Sequence, residues 1–366
     1  MNCTYFDSGA CGSCTLIKTP YGQQLADKDK RARSLVAADT WLAPVPGGLD
    51  HFRTKVKLVA GGTPDVPTLG IIGQDLSHCP IVDTRILALL PPLKDFIATA
   101  RLVPYDIPTR RGELKNVILT VSPAGELMVR FVLRSTESLP RLRKHLPTLL
   151  AAAPAIRVVT ANLLPEHKAV VEGAEEIVLT QADSLRIDFA GRSLHLLPRS
   201  FVQTNTAVAA RLYERGAAWV DESAPASVWD LYCGVGGFAL HATAQGREVT
   251  GVEVSPDAVA SAHRSAAAAG VAAAFIAADA TEWARAQDAP PDVVIVNPPR
   301  RGIGAELASW LEGSGVRRVL YSSCNVHSLA ADLAWVPSLR PVRAQVFDMF
   351  PHTSHFETLV LLQRSA

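Results

Sequence analysis

Apolar and polar positions follow two different patterns along the chain, and the change falls near residue 200. Before it, apolar runs bounded by turn residues predict four strands, over 55–61, 112–123, 125–135 and 156–164. The second and third are joined around Pro123-Ala124-Gly125, which predicts a hairpin. Apolar residues at helical spacing indicate helices over 21–37 and 139–153. The first part is therefore predicted to be α+β.

After residue 200, apolar strands alternate with helical segments. The predicted strands cover 227–234, 248–254, 291–299 and 317–324, and the Ala-rich stretch 256–270 is the clearest helix. Such alternation is typical of a mostly parallel sheet covered by helices. Ligands of these sheets bind at the carboxyl ends of the strands. The residues just after each strand are therefore the candidates for chemistry.

Composition adds a constraint on partners. The chain has 366 residues, enough for two domains, with 48% apolar and 19% charged residues. Its net charge of +1 gives no global field that would attract nucleic acid. Basic residues nevertheless cluster in the first half, at 28–33, 51–58, 109–115 and 141–144. Any one run can be a solvated face, but four together favour a surface that contacts phosphates.

The start of the chain carries no sign of export. It lacks the basic and apolar regions of a secretory signal, and uncharged runs such as 231–246 are too short to cross a bilayer. We therefore expect a cytoplasmic protein, in which thiols stay reduced. We therefore do not expect its cysteines to form a disulfide framework.

A glycine-rich turn follows the first strand of the second part. Gly234, Gly236 and Gly237 permit a tight turn and a close approach to a ligand. Glu253 ends the next strand, 19 residues after Gly234, a spacing that suits a carboxylate holding ribose hydroxyls. Taken alone, this pattern also fits the glycine-rich motif of a dinucleotide-binding site. It fits a glycine-rich turn that binds no nucleotide as well.

The next motif favours a methyl donor. Asn297, Pro298 and Pro299 stand at the end of a later strand, and an Asn/Asp-Pro-Pro element there is typical of S-adenosylmethionine-dependent methyltransferases. Methylation of an exocyclic amine usually places an aromatic residue after the prolines. Here that residue is Arg300, which disfavours amine methylation.

Two further residues fit methylation of a pyrimidine carbon. Cys324 ends the strand 317–324 beside the expected donor, and Glu357 begins a final apolar strand; Cys233, inside the glycine turn, is interpreted as a buried apolar residue. Uracil C5 is a poor nucleophile until a thiolate adds to C6. A base must later remove the C5 proton so that the thiolate can leave. This reaction needs one activated cysteine and one carboxylate.

Five motifs together resemble the RNA uracil-C5 (5-methyluridine) methyltransferases, and within them the bacterial enzymes of 23S rRNA. They are SFVQTN (200–205), WDLYCGVGGF (229–238), NPPRRGIG (297–304), YSSCN (321–325) and FDMFPHTSHFE (347–357). The resemblance implies a Rossmann-like S-adenosylmethionine-dependent domain with a parallel-rich mixed sheet, plus a smaller α+β RNA-binding domain.

The resemblance also implies the roles of individual residues, because each role falls on the residue that stands at the matching position of a motif. It implies that Cys324 is the nucleophile and Glu357 the base. It assigns donor contacts to the residues Gln203, Tyr232, Glu253 and Asn297, and a contact with adenine to Asp279. Relatives carry Asp where this chain has Asn297, so an amide there is expected to orient the uracil edge.

The opening stretch MNCTYFDSGACGSC raises the possibility of a metal site. Together with a later thiol it supplies four thiolates, from Cys3, Cys11, Cys14 and Cys79. Four thiolates suit zinc or an iron–sulfur cluster, and spacing alone favours zinc without excluding the cluster. The resemblance instead implies a [4Fe–4S] cluster on these cysteines, in a structural role.

The resemblance also implies a domain division. Residues 1–16 and 49–196 would form the iron–sulfur and RNA-binding domain, and 17–48 with 197–366 the catalytic domain, on which 17–48 packs as a helix. Because the cluster thiols begin at residue 3, we expect no amino-terminal RNA-binding β-barrel of the kind that larger family members carry.

The expected reaction moves a methyl group from S-adenosylmethionine to C5 of one uridine in 23S rRNA. The uridine would lie in a single strand or loop and leave its stack to reach the thiol. A tRNA uracil-C5 methyltransferase is the alternative, disfavoured by the four cysteines. An amine methyltransferase or a non-catalytic RNA-binding metalloprotein would have no use for Cys324 and Glu357. No membrane and no obligatory protein partner are expected.

Overall fold

The structure, a computed structural model, describes residues 1–365. Its helices are α1 Thr4–Asp7, α2 Tyr21–Leu35, α3 Thr84–Thr99, α4 Leu139–Ala152, α5 Thr206–Asp221, α6 Gly237–His241, α7 Pro256–Ala269, α8 Ala280–Arg285, α9 Gly304–Gly313 and α10 Val326–Leu333. Within these residues, no helix combines the length and the apolar character that a membrane span requires.

Seventeen strands form three sheets within the described residues. They are β1 Thr40–Trp41, β2 Lys55–Gly62, β3 Pro67–Ile71, β4 Gln74–Asp75, β5 Leu114–Val121, β6 Leu127–Leu133, β7 Ile156–Leu163, β8 Glu175–Val178, β9 Leu185–Phe189, β10 Arg192–Leu196, β11 Ser227–Leu231, β12 Glu248–Glu253, β13 Ala274–Ala277, β14 Val293–Val296, β15 Arg318–Ser323, β16 Leu339–Phe347 and β17 Glu357–Arg364. Strands β9 and β10 pair with each other.

Contacts along the backbone divide the chain into two compact units. The first unit comprises 1–12, 50–187 and 197–199, and the second comprises 13–49, 188–196 and 200–366. Helix α2 therefore belongs with the strands of the second half of the chain. Each unit has its own sheet and its own apolar core.

The first unit is built on a seven-stranded sheet in the order β4-β3-β2-β5-β6-β7-β8. Its neighbouring strands are antiparallel except for the pair β6 and β7, which α4 connects as a crossover. The predicted hairpin is confirmed, since β5 and β6 pair antiparallel around the turn at Gly125. Apolar faces of α3 and α4 pack against the central strands and bury side chains such as Leu93 and Phe131 completely.

The second unit has an eight-stranded sheet in the order β1-β16-β17-β15-β14-β11-β12-β13. The predicted parallel strands are confirmed: β13, β12, β11, β14 and β15 run parallel. Strand β17 is antiparallel to both β15 and β16, so the sheet is mixed. Strand β14 is buried throughout, as expected for a strand with helices on both faces. All five parallel strands end at one edge.

Candidate active site

The carboxyl end of β15 meets the beginning of β17 at this edge. The antiparallel register pairs Ser323 with Thr358, so Cys324 and Glu357 come next on the two strands. Side chains two residues apart on a strand share a face. Ser322, Cys324 and Glu357 therefore belong to one face of the sheet, which brings the two predicted catalytic residues together.

Glu357 is almost completely buried, with 1% of its surface exposed. The Ser322 hydroxyl donates a hydrogen bond of 2.8 Å to its Oε1. Burial raises the pKa of Glu357 to about 7, and the bond from Ser322 offsets part of that rise. A carboxyl group with this pKa holds a proton on half of the molecules near neutral pH and accepts one on the rest.

Cys324 is half-buried at the mouth of the same edge. Burial raises the pKa of its thiol, the charge of Glu357 raises it further, and the positive charge of Arg300 lowers it. The thiolate is the reactive form of cysteine. Arg300 therefore favours the nucleophilic form, and an ionised Glu357 opposes it.

A small pocket of about 100 Å³ opens onto the Cys324 thiol. Its lining includes Arg31, Arg300, His355 and Phe356. The guanidinium of Arg31 lies 4.8 Å from the centroid of the Phe356 ring, a cation–π contact, and also donates to the Ser354 carbonyl. The pocket thus offers one thiol among cationic and aromatic groups.

Arg300 is fixed by two neighbours. One of its Nη atoms lies 3.0 Å from His355 Nδ1, and its carbonyl accepts a 3.1 Å hydrogen bond from the Asn325 amide. Burial, and next the charge of Arg300, lowers the pKa of His355. A neutral imidazole has a lone pair at Nδ1 that accepts the Arg300 proton. His355 therefore orients Arg300 beside the thiol.

A buried network holds the segment 348–356, which precedes the base, against α2. The Lys28 ammonium lies 2.6 Å from Asp348 and donates to the Phe350 carbonyl at 3.1 Å. The Tyr21 hydroxyl donates to the other oxygen of Asp348 at 2.9 Å. Lys28 and Asp348 are both almost inaccessible to solvent. Helix α2 therefore fixes the chain that leads into Glu357.

The glycine turn after β11 faces the carboxylate at the end of β12. The backbone N–H of Gly234 donates to one oxygen of Glu253 at 3.2 Å, and the N–H of Ser255 donates to the other at 2.9 Å. Gly234 and Gly236 adopt positive φ angles of 54° and 85°, which favour glycine. The carboxylate is thus held in place with lone pairs left to accept hydroxyl protons, as a ribose requires.

Tyr232 and Asp279 lie near each other beside this turn. Tyr232 has a left-handed backbone (φ 67°), and its hydroxyl makes a hydrogen bond with the side chain of Thr281. Asp279 is exposed at the start of α8, where it accepts backbone hydrogen bonds from Thr281 and Glu282 at 2.9 and 3.0 Å. Its carboxylate therefore caps a helix, which accounts for an acid at this position without any adenine contact.

The remaining predicted donor contacts lie on other segments of the second unit. Gln203 is 8% exposed in the segment that leads into α5, whose first turn Asn205 caps. Asn297 follows β14 directly, and its N–H makes a 3.4 Å bond to the carbonyl of Leu231 at the end of β11. Asn297 is thus at the same edge of the sheet as Tyr232.

The cysteines of the opening stretch gather only in part. Cys3 and Cys11 lie close enough to Cys79 for their charges to raise the pKa of its thiol, after burial as the main cause. All three belong to the first unit, whereas Cys14 belongs to the second. In residues 1–365, no group of three or more His, Cys, Asp or Glu side chains is arranged to hold a metal ion.

A larger concavity, of about 720 Å³, lies away from this chemistry. Its lining includes Ala226, Asp292 and Arg317, which precede β11, β14 and β15. It therefore opens at the amino ends of the parallel strands. Because Cys324 and Glu253 stand at the carboxyl ends, we assign the active site to the smaller pocket.

Sequence reasoning missed several residues of the pocket. Arg31 comes from a run that was interpreted as a surface for phosphates, and His355 and Phe356 were not singled out. Arg300 was used only as an argument against amine methylation. For Arg300, His355 and Phe356 the sequence signal was their position inside the motifs 297–304 and 347–357. Arg31 lies outside both motifs, and no local pattern marks it as a residue of the pocket.

Known proteins with similar sequences and folds bear on this site. A family model described as tRNA (Uracil-5-)-methyltransferase matches residues 182–365. The 23S rRNA (uracil(747)-C(5))-methyltransferase RlmC of Shewanella amazonensis is 48% identical, with 100% of this chain and 98% of that protein covered. The protein of the same name from Cronobacter sakazakii is 46% identical, with 100% of both chains covered.

One solved structure shares the fold over most of the chain. The crystal structure of the Pyrococcus abyssi tRNA (uracil-54, C5)-methyltransferase, in complex with S-adenosyl-L-homocysteine, has a TM-score of 0.80 at 24% identity and covers 95% of this chain and 85% of its own. That likeness establishes the S-adenosylmethionine-dependent methyltransferase fold. The family model and the full-length relatives lead to one conclusion: the chain belongs to the tRNA (uracil-5-)-methyltransferase family.

Proposed function

We propose that this protein transfers a methyl group from S-adenosylmethionine to C5 of one uridine in 23S rRNA. The observation that carries the proposal is the pairing of Cys324 with buried Glu357 across β15 and β17. The names of the full-length relatives support 23S rRNA as the substrate and point to the uridine equivalent to their uracil 747. A tRNA substrate is the second candidate, supported by the family description.

Addition to the base is the step that uses Cys324. The thiolate sulfur bonds to C6 of the uracil, and the electron pair of the C5–C6 double bond becomes the nucleophile at C5. The charge of Arg300 lowers the pKa of the thiol and so raises the fraction of thiolate. The uridine would leave its stack to reach the thiol, and the small size of the pocket at Cys324, about 100 Å³, supports entry of a single base.

Elimination is the step that uses Glu357. After C5 carries the methyl group, the carboxylate takes the C5 proton and the double bond forms again. The C6–S bond then breaks and returns the thiolate of Cys324. A pKa of about 7 leaves enough carboxylate at neutral pH to act as the base and makes it a stronger base than an exposed glutamate.

Donor binding would use the glycine turn and its surroundings. S-adenosylmethionine supplies an electrophilic methyl group at this edge of the sheet. Glu253, held by Gly234 and Ser255, would accept the ribose hydroxyl protons. Tyr232, Gln203 and Asn297 would make the other contacts. Asp279 is the weakest of the donor assignments because its carboxylate caps α8.

The experiment uses purified protein, labelled donor, and unmodified 23S rRNA and tRNA transcripts in separate reactions. Nuclease digestion and mass spectrometry locate the added mass. We expect one 5-methyluridine in 23S rRNA, at the position equivalent to uracil 747, and none in tRNA. Methylation of tRNA alone would favour the second candidate, and an amine-methylated product would overturn the proposal.

The thiols Cys3, Cys11, Cys14 and Cys79 would hold a [4Fe–4S] cluster, and the first unit would bind the rRNA. A [4Fe–4S] cluster is usually held by four thiolates. The proximity of Cys3 and Cys11 to Cys79 supports this assignment. Action on 23S rRNA would place the protein in the cytoplasm. Analysis of anaerobically purified protein for iron and acid-labile sulfide tests the cluster, with about four of each expected per chain. One zinc ion without sulfide would contradict it.

A further inference from the structure

The four basic runs of the first half differ in how their charges are used. In the run 28–33, Lys28 is buried against Asp348, and Arg33 pairs with Asp29 at 2.7 Å. These two charges stabilise the second unit internally. They are therefore poor candidates for contacts with a large, separate polyanion.

Two other runs are also partly neutralised, within the first unit. Lys57 of the run 51–58 lies 3.8 Å from Glu172. Arg141 of the last run makes a close ion pair with Glu137, at 2.5 Å, in the first turn of α4. A cation that already faces a carboxylate releases fewer counterions when it meets a phosphate.

The run 109–115 is different. Arg110 and Arg111 are exposed, and neither side chain makes a hydrogen bond or ion pair within residues 1–365. Among the other runs, the same description fits the neighbouring pair Arg143 and Lys144 on α4. The two pairs carry equal charge, so the surroundings decide between them.

The two arginines stand on a closed loop. The N–H of Asp106 donates to the Arg111 carbonyl at 2.7 Å, and the Asp106 carboxylate accepts the Thr109 N–H at 2.9 Å. Gly112 permits the return, since its φ is 100° and a Cβ there would lie 2.2 Å from the Pro104 carbonyl oxygen. Residues 105–111, called here the Arg110 loop, are therefore held in this conformation by hydrogen bonds of their own.

Aromatic and apolar groups belong to the same loop or contact it. The Tyr105 hydroxyl lies 3.0 Å from Nδ1 of exposed His167, and the two rings are 6.2 Å apart. Lys115 lies 4.7 Å from the centroid of the Tyr105 ring. Ile107 is 47% exposed on the loop itself. Cations combined with aromatic rings are the usual elements of single-stranded nucleic-acid binding, because rings stack on bases and cations follow the backbone.

We propose that the Arg110 loop binds the rRNA substrate, with Arg110 and Arg111 on backbone phosphates and the Tyr105–His167 pair beside an unstacked base. This proposal rests on the proposed function, since it names the part of the first unit that recognises the same RNA. The one acidic side chain of the loop, Asp106, accepts hydrogen bonds from the N–H and the hydroxyl of Thr109. It therefore repels an incoming phosphate less than a free carboxylate would.

The test compares wild type with the double variant Arg110→Gln/Arg111→Gln. Filter binding of transcribed 23S rRNA is measured at several salt concentrations without methyl donor. Loss of two phosphate contacts should weaken binding about tenfold near physiological salt and reduce the slope of log affinity against log salt by about 1.4. At saturating RNA, kcat should stay unchanged while KM for RNA rises.

Arg143→Gln/Lys144→Gln is the matched control, because it removes the same charge from an exposed pair that, within residues 1–365, makes no ion pair and no cation–π contact. An equal loss in both variants would show an effect of net charge alone and overturn the proposal, as would unchanged binding in the Arg110 loop variant. A wild type that binds the rRNA without methylating it would refute the proposed function and still test the loop. A wild type that does not bind this RNA would contradict both.

Discussion

The thiol of Cys324 is subject to opposite charges on its two sides. Because Arg300 lowers its pKa, Arg300→Met should raise the pH at which the thiol reacts. Glu357→Gln should lower it, since the opposing negative charge is removed. The measurement is the rate of iodoacetamide labelling of the Cys324 peptide against pH, followed by mass spectrometry, which separates this cysteine from the others.

Arg301→Met is the control for that experiment. Arg301 is an exposed neighbour that does not line the pocket at Cys324. Its loss removes the same charge from the protein, yet the labelling profile of Cys324 should stay where it is. Equal shifts in the Arg300 and Arg301 variants would mean that the local contact described for Arg300 has no special effect.

Burial of Glu357 predicts a trend of stability with pH. Its pKa is about 7 in the folded protein and 4.5 as the ordinary value, so between these pH values the folded state binds more protons than the unfolded state. The free energy of unfolding therefore falls as pH rises through this window, by about 3 kcal/mol at most. Glu357→Gln removes the titration, so its stability relative to wild type should increase from pH 5 to pH 8 in urea denaturation.

Glu306→Gln serves as the comparison, because Glu306 is an exposed carboxylate in the first turn of α9. The free energy of unfolding of the Glu306→Gln variant should differ little from that of wild type at pH 5 and at pH 8. A Glu357→Gln variant whose stability difference does not change with pH would show that the carboxyl is not held in the buried, proton-retaining state.

At the scale of elements, α2 stabilises the segment that carries the base. Lys28→Met leaves the carboxylate of Asp348 buried without its cation, which should cost about 3–5 kcal/mol in free energy of unfolding. Lys28→Met/Asp348→Asn removes both charges and should recover part of that loss. Arg340→Met, which breaks an exposed pair with Asp39 at 3.2 Å, should cost at most about 1 kcal/mol. Similar losses in Lys28→Met and Arg340→Met would contradict this account.

Elements with a strong local pattern were predictable, and one helix shows where prediction failed. The strands β11, β12, β14 and β15 were expected from their apolar runs, and with them the edge that carries the site. Helix α3 was not predicted, and it contains Pro91 and Pro92, which remove two backbone donors from its interior. Burial of its apolar face, including Leu93 and Ile97, outweighs that loss. This packing depends on the β-sheet below and is invisible in the local sequence.

The local sequence also does not reveal which residues, far apart along the chain, meet in one site. Cys324 and Glu357 were recognisable because each stands in a motif at a strand end. Their pairing across β15 and β17, and the presence of Arg31 about three hundred residues earlier in the same pocket, depend on strand order and on the position of α2. Antiparallel insertion of β17 between β15 and β16 leaves no local pattern from which that order could be derived.

At the scale of the whole molecule, the proposed cluster and the proposed donor site belong to separate parts of the chain. Cys79→Ser should lose the metal and destabilise the first unit, because binding of such a group is coupled to folding. Donor affinity, measured by calorimetry, should change little, while affinity for 23S rRNA should fall. Cys233→Ser is the control, since Cys233 is a buried thiol near the glycine turn and should keep the iron. Metal-free Cys79→Ser with full RNA affinity would contradict the structural role.

The central claim is that Cys324 and Glu357 convert uracil C5 through a covalent intermediate. The most direct measurement is the release of tritium from 23S rRNA labelled at uridine C5, read together with protein–RNA adducts on a denaturing gel. Wild type should release one tritium for each methyl group added. Glu357→Gln should retain the tritium and accumulate an adduct that Cys324→Ala/Glu357→Gln does not form. Normal tritium release by Cys324→Ala, or by Glu357→Gln without an adduct, would contradict the account.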